Sequence, residues 1–129
     1  MDRKILILEQ DAALLEAMRA QLSGSGYEID GVREPEAAQS LLSHVHYALV
    51  IADLALGEAA CNGFEVLVSS WNTASRPKTI VFSRNDNPEL RESVRRWGAD
   101  IFLNKPESLK VIIDSAMALL NGRLCRTPY

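Results

Sequence analysis

The 129-residue sequence has little cysteine, no excess of basic residues and no long apolar run. Its two cysteines, Cys61 and Cys125, lack metal-site spacing and are too few for a disulfide scaffold, so we expect a reduced, cytoplasmic setting. Lys and Arg total 14 against 17 Asp and Glu, which argues against direct nucleic-acid binding. No apolar run approaches the ~20 residues of a membrane span, and no signal peptide is evident, so no membrane contact is predicted.

The rest of the composition is that of one globular domain. Apolar residues make up 47% of the chain and charged residues 24%. The length suits a single domain, since domains usually have ~100–150 residues. We therefore expect one domain over residues 1–122 and a frayed C-terminal tail over residues 123–129.

Short apolar runs alternate along the chain with segments of helical periodicity. The apolar runs predict five strands, at residues 5–8, 27–32, 47–52, 79–82 and 101–103. Helices are predicted after each strand: over 12–22, from Pro35, from Asn62, from Asn87, and over 107–121. This alternation favours an α/β fold with a five-stranded parallel sheet, doubly wound by five helices.

Polar residues directly follow four of the predicted strands. They are Glu9, Gln10 and Asp11 after the first, Asp53 after the third, Ser83 after the fourth and Lys105 after the fifth. Because the carboxyl ends of parallel strands meet at one edge of a sheet, we expect these side chains to share a cleft. Carboxylates, a hydroxyl and an ammonium suit a phosphoryl group carried by Asp53, with a hard divalent cation to neutralise charge.

Each residue also has a purely structural interpretation. A single Asp after a strand is more often a turn or capping residue, and Lys105 before Pro106 could be a solvated loop lysine. The main functional competitor is a nucleotide or flavin site, which needs a glycine-rich loop after the first strand. The loop at residues 9–13 contains no glycine and carries negative charge, so phosphoryl chemistry on a carboxylate is the better prediction.

Together these segments resemble the receiver domain of bacterial two-component response regulators over residues 4–121. The resemblance rests on the first strand with its acidic end, on Leu49 to Leu56, on Ile80 to Ser83 and on Gly98 to Pro106. It implies the flavodoxin-like strand order 2-1-3-4-5. It also implies a signalling domain that accepts a phosphoryl group from a histidine kinase or phosphotransfer protein and switches a protein-interaction face. Enzymatic activity would be limited to Mg²⁺-dependent self-phosphorylation and dephosphorylation.

The resemblance further implies roles for individual residues. Asp53 matches the phosphoacceptor, and three residues would assist or respond to it: Ser83, Phe102 and Lys105. Ser83 and Phe102 would be the switch residues, and Lys105 would contact the phosphoryl group. Mg²⁺ would take oxygens from four residues: Glu9, Gln10, Asp53 and, through its backbone carbonyl, Ala55. The predicted fourth helix, fifth strand and fifth helix would form the face for partners and for a homodimer.

Three departures from the family pattern bear on this site. Gln10 stands where the family has a second acidic residue, and its amide brings no negative charge, so we expect weak Mg²⁺ binding. Asp11 could compensate, although its position favours capping the first helix. Arg84 replaces a small residue and could screen Asp53 or clamp an anion. Glu58, in a lengthened loop, could supply another oxygen to the metal.

These departures leave a second hypothesis open, a degenerate receiver that works as a protein-interaction module without phosphorylation. The chain ends soon after the last predicted helix, so we expect either action through protein contact or an N-terminal piece of a longer protein. Four basic residues on or near the predicted fourth helix could bind an acidic partner or nucleic acid, but we expect them to form a solvated face or salt bridges at a dimer interface: Arg84, Arg91, Arg95 and Arg96.

Overall fold

The computed structural model describes residues 3–53, 77–83, 88–96, 98–104 and 108–122. Within these ranges the strands are β1 (Lys4–Leu8), β2 (Glu28–Val32), β3 (Leu49–Asp53), β4 (Lys78–Ser83) and β5 (Ile101–Asn104). The helices are α1 (Ala12–Leu22), α2 (Pro35–Leu42), α3 (Pro88–Arg96) and α4 (Leu109–Leu120). The helix predicted from Asn62 lies outside the described residues, so α3 and α4 correspond to the predicted fourth and fifth helices.

All five strands pair in parallel, in the order β2-β1-β3-β4-β5. The central strand β3 is buried along its whole length, as expected for a parallel sheet with both faces covered. The predicted fold class and strand order are therefore confirmed. The boundaries differ slightly, because Asp53 and Ser83 pair as the last residues of β3 and β4 instead of following them.

Alternate residues of the central strands pack into two separate cores, one on each face of the sheet. On the first face, Leu6, Val50 and Val81 pack with Leu42 of α2 and Val94 of α3. Each fully buried aliphatic side chain contributes about 1.5–3 kcal/mol of transfer free energy. This face therefore joins α3 firmly to the strands that carry the predicted site.

The second core lies on the opposite face of the sheet. There Ile5, Ile51 and Phe82 pack with Met18 of α1 and Ile112 of α4. The two cores together give the doubly wound arrangement that the alternating pattern predicted. Because the sheet is packed on both sides, the polar residues at its carboxyl edge stand on a rigid support.

Local hydrogen bonds set the helix starts. Asp11 precedes α1, and its Oδ1 accepts from the N–H groups of Ala13 and Leu14 at 2.9 and 3.3 Å. The capping role favoured for Asp11 is therefore confirmed. Pro35 is the first residue of α2, where its missing N–H costs nothing, also as predicted.

The segment from Gly98 to Asp100 fixes the register between β4 and β5. Gly98 has a φ of 92°, a left-handed conformation that side chains other than glycine's rarely adopt. Asp100 donates its N–H to the carbonyl of Thr79 at 3.0 Å, and its Oδ2 accepts the Thr79 N–H at 2.8 Å. These two bonds tie the start of β5 to β4, and the resulting register places Ser83 beside Asn104.

Candidate functional site

Glu9, Asp53 and Ser83 come together at the carboxyl edge of the sheet. Leu8 pairs with Ala52, so Glu9 and Asp53 each follow that pair by one residue on neighbouring strands. The three polar residues are almost completely buried, with exposed fractions of 1%, 2% and 2%. Carboxylates are rarely buried to this degree unless they are paired or bind a ligand. Asp53 also pairs as the last residue of β3, so its position and burial argue against the turn or capping interpretation and are typical of a functional site.

The two faces of the sheet both contribute to this edge. Asp53 pairs with Phe82 and follows the alternation of Ile51, on the face that α1 and α4 cover. Ser83 pairs with Asn104 and follows the alternation of Val81, on the face that α3 covers. The polar residues at this edge therefore come from both faces of the sheet.

The loop between β1 and α1 is held by a series of hydrogen bonds. Glu9 donates its N–H to the Val32 carbonyl at 3.0 Å, and its Oε2 accepts the N–H of Asp11 at 2.8 Å. Arg33 Nε donates to the backbone carbonyl of Gln10 at 2.8 Å. This hydrogen bond holds the Gln10 backbone in place, while Gln10 itself is exposed to solvent.

The carboxylates of this edge fit a hard divalent cation. Mg²⁺ prefers carboxylate oxygens, commonly uses only one or two of them, and keeps several waters. Glu9 and Asp53 can supply two carboxylates, and Gln10 can add a neutral amide oxygen. Across the part of the chain that the structure describes, no group of three or more His, Cys, Asp or Glu side chains is placed to hold a metal ion. The ligands predicted from the sequence would thus bring two carboxylates and one neutral amide to a bound Mg²⁺.

Four of the predicted site residues lie outside the described residues: Ala55, Glu58, Arg84 and Lys105. Their roles stay predictions. Asn104, which the sequence did not single out, lies beside Ser83 in the β4–β5 register. Within the described ranges its buried Oδ1 accepts no hydrogen bond. An unsatisfied buried acceptor is unfavourable, so this oxygen offers a position for a donor near the site.

Phe102 is a residue of β5, and its side chain lies in the core on the face of the sheet that α3 covers. It is 6% exposed and belongs to the same cluster as Val81 and Val94. The Cζ atom of Arg91 lies 4.9 Å from the centroid of its ring, which is a cation–π contact. The sequence did not predict this contact for Arg91, which is partly buried; the dimer interface stays a prediction. The signal that could have found it is the helical spacing of Arg91 and buried Val94.

The other two arginines of α3 contact a residue of their own helix. Glu92 Oε1 lies 2.6 Å from Arg95 Nη2 and 3.6 Å from Arg96 Nε. The hydrogen bond from Arg95 is the main cause of a lowered pKa at Glu92. These are exposed pairs, which individually contribute little to stability.

A second polar cluster lies toward the amino ends of β1 and β2. The Tyr47 hydroxyl donates to Asp30 Oδ2 at 2.7 Å, and Lys4 Nζ lies 3.2 Å from the same oxygen. Burial, and then the hydrogen bond to Asp30, raise the pKa of Tyr47 above its ordinary value. The hydrogen bond and charge of Asp30 also raise the pKa of Lys4. The cluster joins β1, β2 and the start of β3 at the end opposite to the site.

Comparison with known proteins gives consistent matches over most of the chain. The family model for the response regulator receiver domain matches residues 5–117. The chain is 35% identical over 119 residues to the transcriptional regulatory protein PmrA of Pectobacterium parmentieri, covering 91% of this chain and 52% of that protein. It is 29% identical over 117 residues to the transcriptional regulatory protein BasR of Escherichia coli (strain K12), covering 91% and 52%. The chain thus spans about half the length of these curated relatives.

Solved structures with the same fold include two receiver domains. A CheY-like receiver domain protein of Methanospirillum hungatei JF-1 has a TM-score of 0.83 at 20% identity, covering 95% of this chain and 97% of that one. The receiver domain of a putative Luxo repressor protein of Vibrio parahaemolyticus has a TM-score of 0.82 at 20% identity, covering 95% and 92%. At these identities the likeness concerns the fold alone. Among the described helices, none has the length and apolar character needed to cross a bilayer.

Proposed function

Because the chain belongs to the family of response regulator receiver domains, we propose that Asp53 accepts a phosphoryl group from a histidine kinase or a phosphotransfer protein. One observation carries this proposal: Asp53 is buried at the end of the central strand β3, between β1, which Glu9 directly follows, and β4, which ends at Ser83. The order β2-β1-β3 places the topological switch point between β1 and β3. Ligands of doubly wound sheets bind at that point.

In the proposed reaction, a carboxylate oxygen of Asp53 attacks the phosphorus of a phosphohistidine. The new O–P bond forms as the P–N bond breaks, and the electron pair stays on the departing imidazole, which takes up a proton from solvent. The product is an acyl phosphate on Asp53. Burial of Asp53 supports this chemistry, because electrostatic contacts to the phosphoryl oxygens are stronger where water is excluded.

The residues around Asp53 would hold the phosphoryl group and its counter-ion. Glu9, Asp53 and the weaker ligand Gln10 would hold Mg²⁺, together with the Ala55 carbonyl that the family pattern implies. When bound, Mg²⁺ neutralises negative charge on the phosphoryl oxygens. The Ser83 hydroxyl would donate a hydrogen bond to one phosphoryl oxygen, and Lys105 would donate a charge-assisted bond to another.

The acyl phosphate would then bias a two-state equilibrium of the face formed by α3, β5 and α4. Ser83 is in register with Asn104, and Phe102 lies two residues earlier on the same face of β5. A movement of Ser83 toward a phosphoryl oxygen would therefore change the packing around Phe102 on the adjacent strand. In this proposal the face binds partner proteins or a second copy of the chain, in the cytoplasm and without direct contact to nucleic acid.

A second candidate function is a receiver that serves as a protein-interaction module without phosphorylation. The observation that favours it is Gln10, an exposed neutral residue in the expected acidic pair. Loss of one negative charge weakens a Mg²⁺ site. Under this alternative, the α3–β5–α4 face would bind its partner in the unmodified state.

The test is the intact mass of the chain after incubation with Mg²⁺ and acetyl phosphate. We expect a phosphoryl adduct on the wild-type chain and none on Asp53→Asn. Asp114→Asn is the matched control, because it removes an exposed carboxylate of α4 that pairs with Lys110. Adducts on Asp53→Asn would contradict the proposed acceptor. Lack of an adduct at high Mg²⁺, and again with phosphorylated histidine kinase as the donor, would favour the interaction module.

A further inference from the structure

We propose that Arg91 clamps Phe102 in its buried position through the cation–π contact, and so biases the α3–β5 face toward one switch state even without a phosphoryl group. The inference deepens the proposed function and rests on it, since it concerns regulation of the same switch. It assigns a positioning role to Arg91, acting through Phe102.

The contact between the two side chains has the geometry that favours attraction. Arg91 Cζ lies 4.9 Å from the centroid of the Phe102 ring, inside the ~6 Å limit for cation–π pairs. Phe102 is 6% exposed and Arg91 is partly buried. Partial removal of the guanidinium from water strengthens such a pair, so an outward movement of the ring would lose an attractive contact.

The position of Arg91 on α3 is set by the core. Val94 comes three residues later, is fully buried, and belongs to the same cluster as Phe102. Residues three apart share a helix face, so the packing of Val94 holds Arg91 toward β5. Arg96 provides the contrast: its side chain is 74% exposed and lies 3.6 Å from Glu92 on the same helix.

The clamp is connected to the phosphoryl site by strand register. Val81 pairs with Phe102, and Ser83 pairs with Asn104. These two pairs are two residues apart along the strands, so the Phe102 and Ser83 side chains are on the same face of the sheet. A two-state element that both sites bias is the physical requirement for coupling. Here the element is the position of the Phe102 ring, biased from one side by Ser83 and from the other by Arg91.

The resting position of the ring can be measured by fluorine NMR of the full chain labelled with 4-fluorophenylalanine. The chain has three phenylalanines, and Phe102→Leu identifies the resonance of interest. Cation–π pairs at partly exposed sites correspond to about a two- to fivefold change in a population ratio. We expect Arg91→Gln to lower the ratio of buried to exposed ring by that factor, without any phosphodonor.

The matched control is Arg96→Gln, which removes the same charge from the same helix and should leave the Phe102 resonance unchanged. Arg91→Lys keeps the charge and most of the side-chain packing, and should restore part of the wild-type ratio. A Phe102 resonance that is the same in Arg91→Gln and Arg96→Gln would overturn the inference.

A titration with beryllofluoride and Mg²⁺ separates this inference from the proposed function. The phosphoryl analogue should bind Arg91→Gln more weakly than wild type, by up to the same two- to fivefold factor, because its binding-competent state is less populated. Arg96→Gln should bind as wild type does. If neither wild type nor any variant binds beryllofluoride while the resonance change persists, the proposed phosphorylation of Asp53 fails. The positioning of the Phe102 ring by Arg91 would then still hold. If wild type binds and Arg91→Gln binds equally well, the clamp is refuted as a regulator.

Discussion

Replacing Gln10 by aspartate should strengthen Mg²⁺ binding, and the size of the effect can be estimated from the structure. Gln10 is exposed, so its electrostatic interactions are screened by water. Two unit charges about 4 Å apart in water attract by about 1 kcal/mol, and a divalent ion doubles this to about 2 kcal/mol. That free energy corresponds to roughly a thirtyfold gain in affinity, and competition from the neighbouring Arg33 guanidinium should reduce it toward tenfold.

The assay is calorimetric titration with MgCl₂ at fixed ionic strength. Gln10→Asn is the matched control, because it changes side-chain length but adds no charge. Arg33 should keep its hydrogen bond to the backbone carbonyl of residue 10 in both variants. Equal Mg²⁺ affinities of Gln10→Asp and Gln10→Asn would refute the reasoning, since the added charge would then not be felt at the site.

Three further predictions concern the elements that support the site. Asp11→Ala should lower the free energy of unfolding by about 1 kcal/mol in urea denaturation through loss of the α1 cap, whereas Asp11→Asn should be nearly neutral. Asp100→Ala should cost about 1–3 kcal/mol by the same assay, because it leaves the buried Thr79 N–H without its acceptor; an unchanged midpoint would show that water replaces the bond. The raised pKa of Tyr47 contributes stability that is full below pH 10.0 and falls as the pH rises above it, because the unfolded chain then ionises more readily. Tyr47→Phe should therefore flatten the alkaline decline, and an unchanged slope would contradict the burial argument.

Much of the fold could be read from local patterns. The apolar run at residues 5–8 and the run ending before Asp53 are continuous because both faces of the sheet are covered. Asp11 was assigned as a cap from its position alone, since capping depends on a few neighbouring backbone groups. Strand order, by contrast, could not be read from local patterns. Alternation of strands and helices predicts a parallel sheet, whereas the order of the strands was implied only by the resemblance to a family.

Contacts between distant elements could not be read from the sequence. The placement of Arg91 over Phe102 depends on how closely α3 approaches β5, which is set by the packing of Val94. The role of Asp100 is similar, because its acceptor position opposite Thr79 exists only once β4 and β5 are in register. Helical spacing shows which residues of a helix share a face, but it does not identify the residue of another element that they contact.

The central claim is that the acyl phosphate forms on Asp53. Its most direct test is treatment of the phosphorylated chain with hydroxylamine, followed by peptide mass mapping. Hydroxylamine converts an acyl phosphate to a hydroxamate and leaves phosphoserine intact. We predict a hydroxamate on Asp53 and on no other carboxylate, with none in Asp53→Asn. A hydroxamate at Glu9 or Asp11, or a stable phosphate on Ser83, would contradict the account.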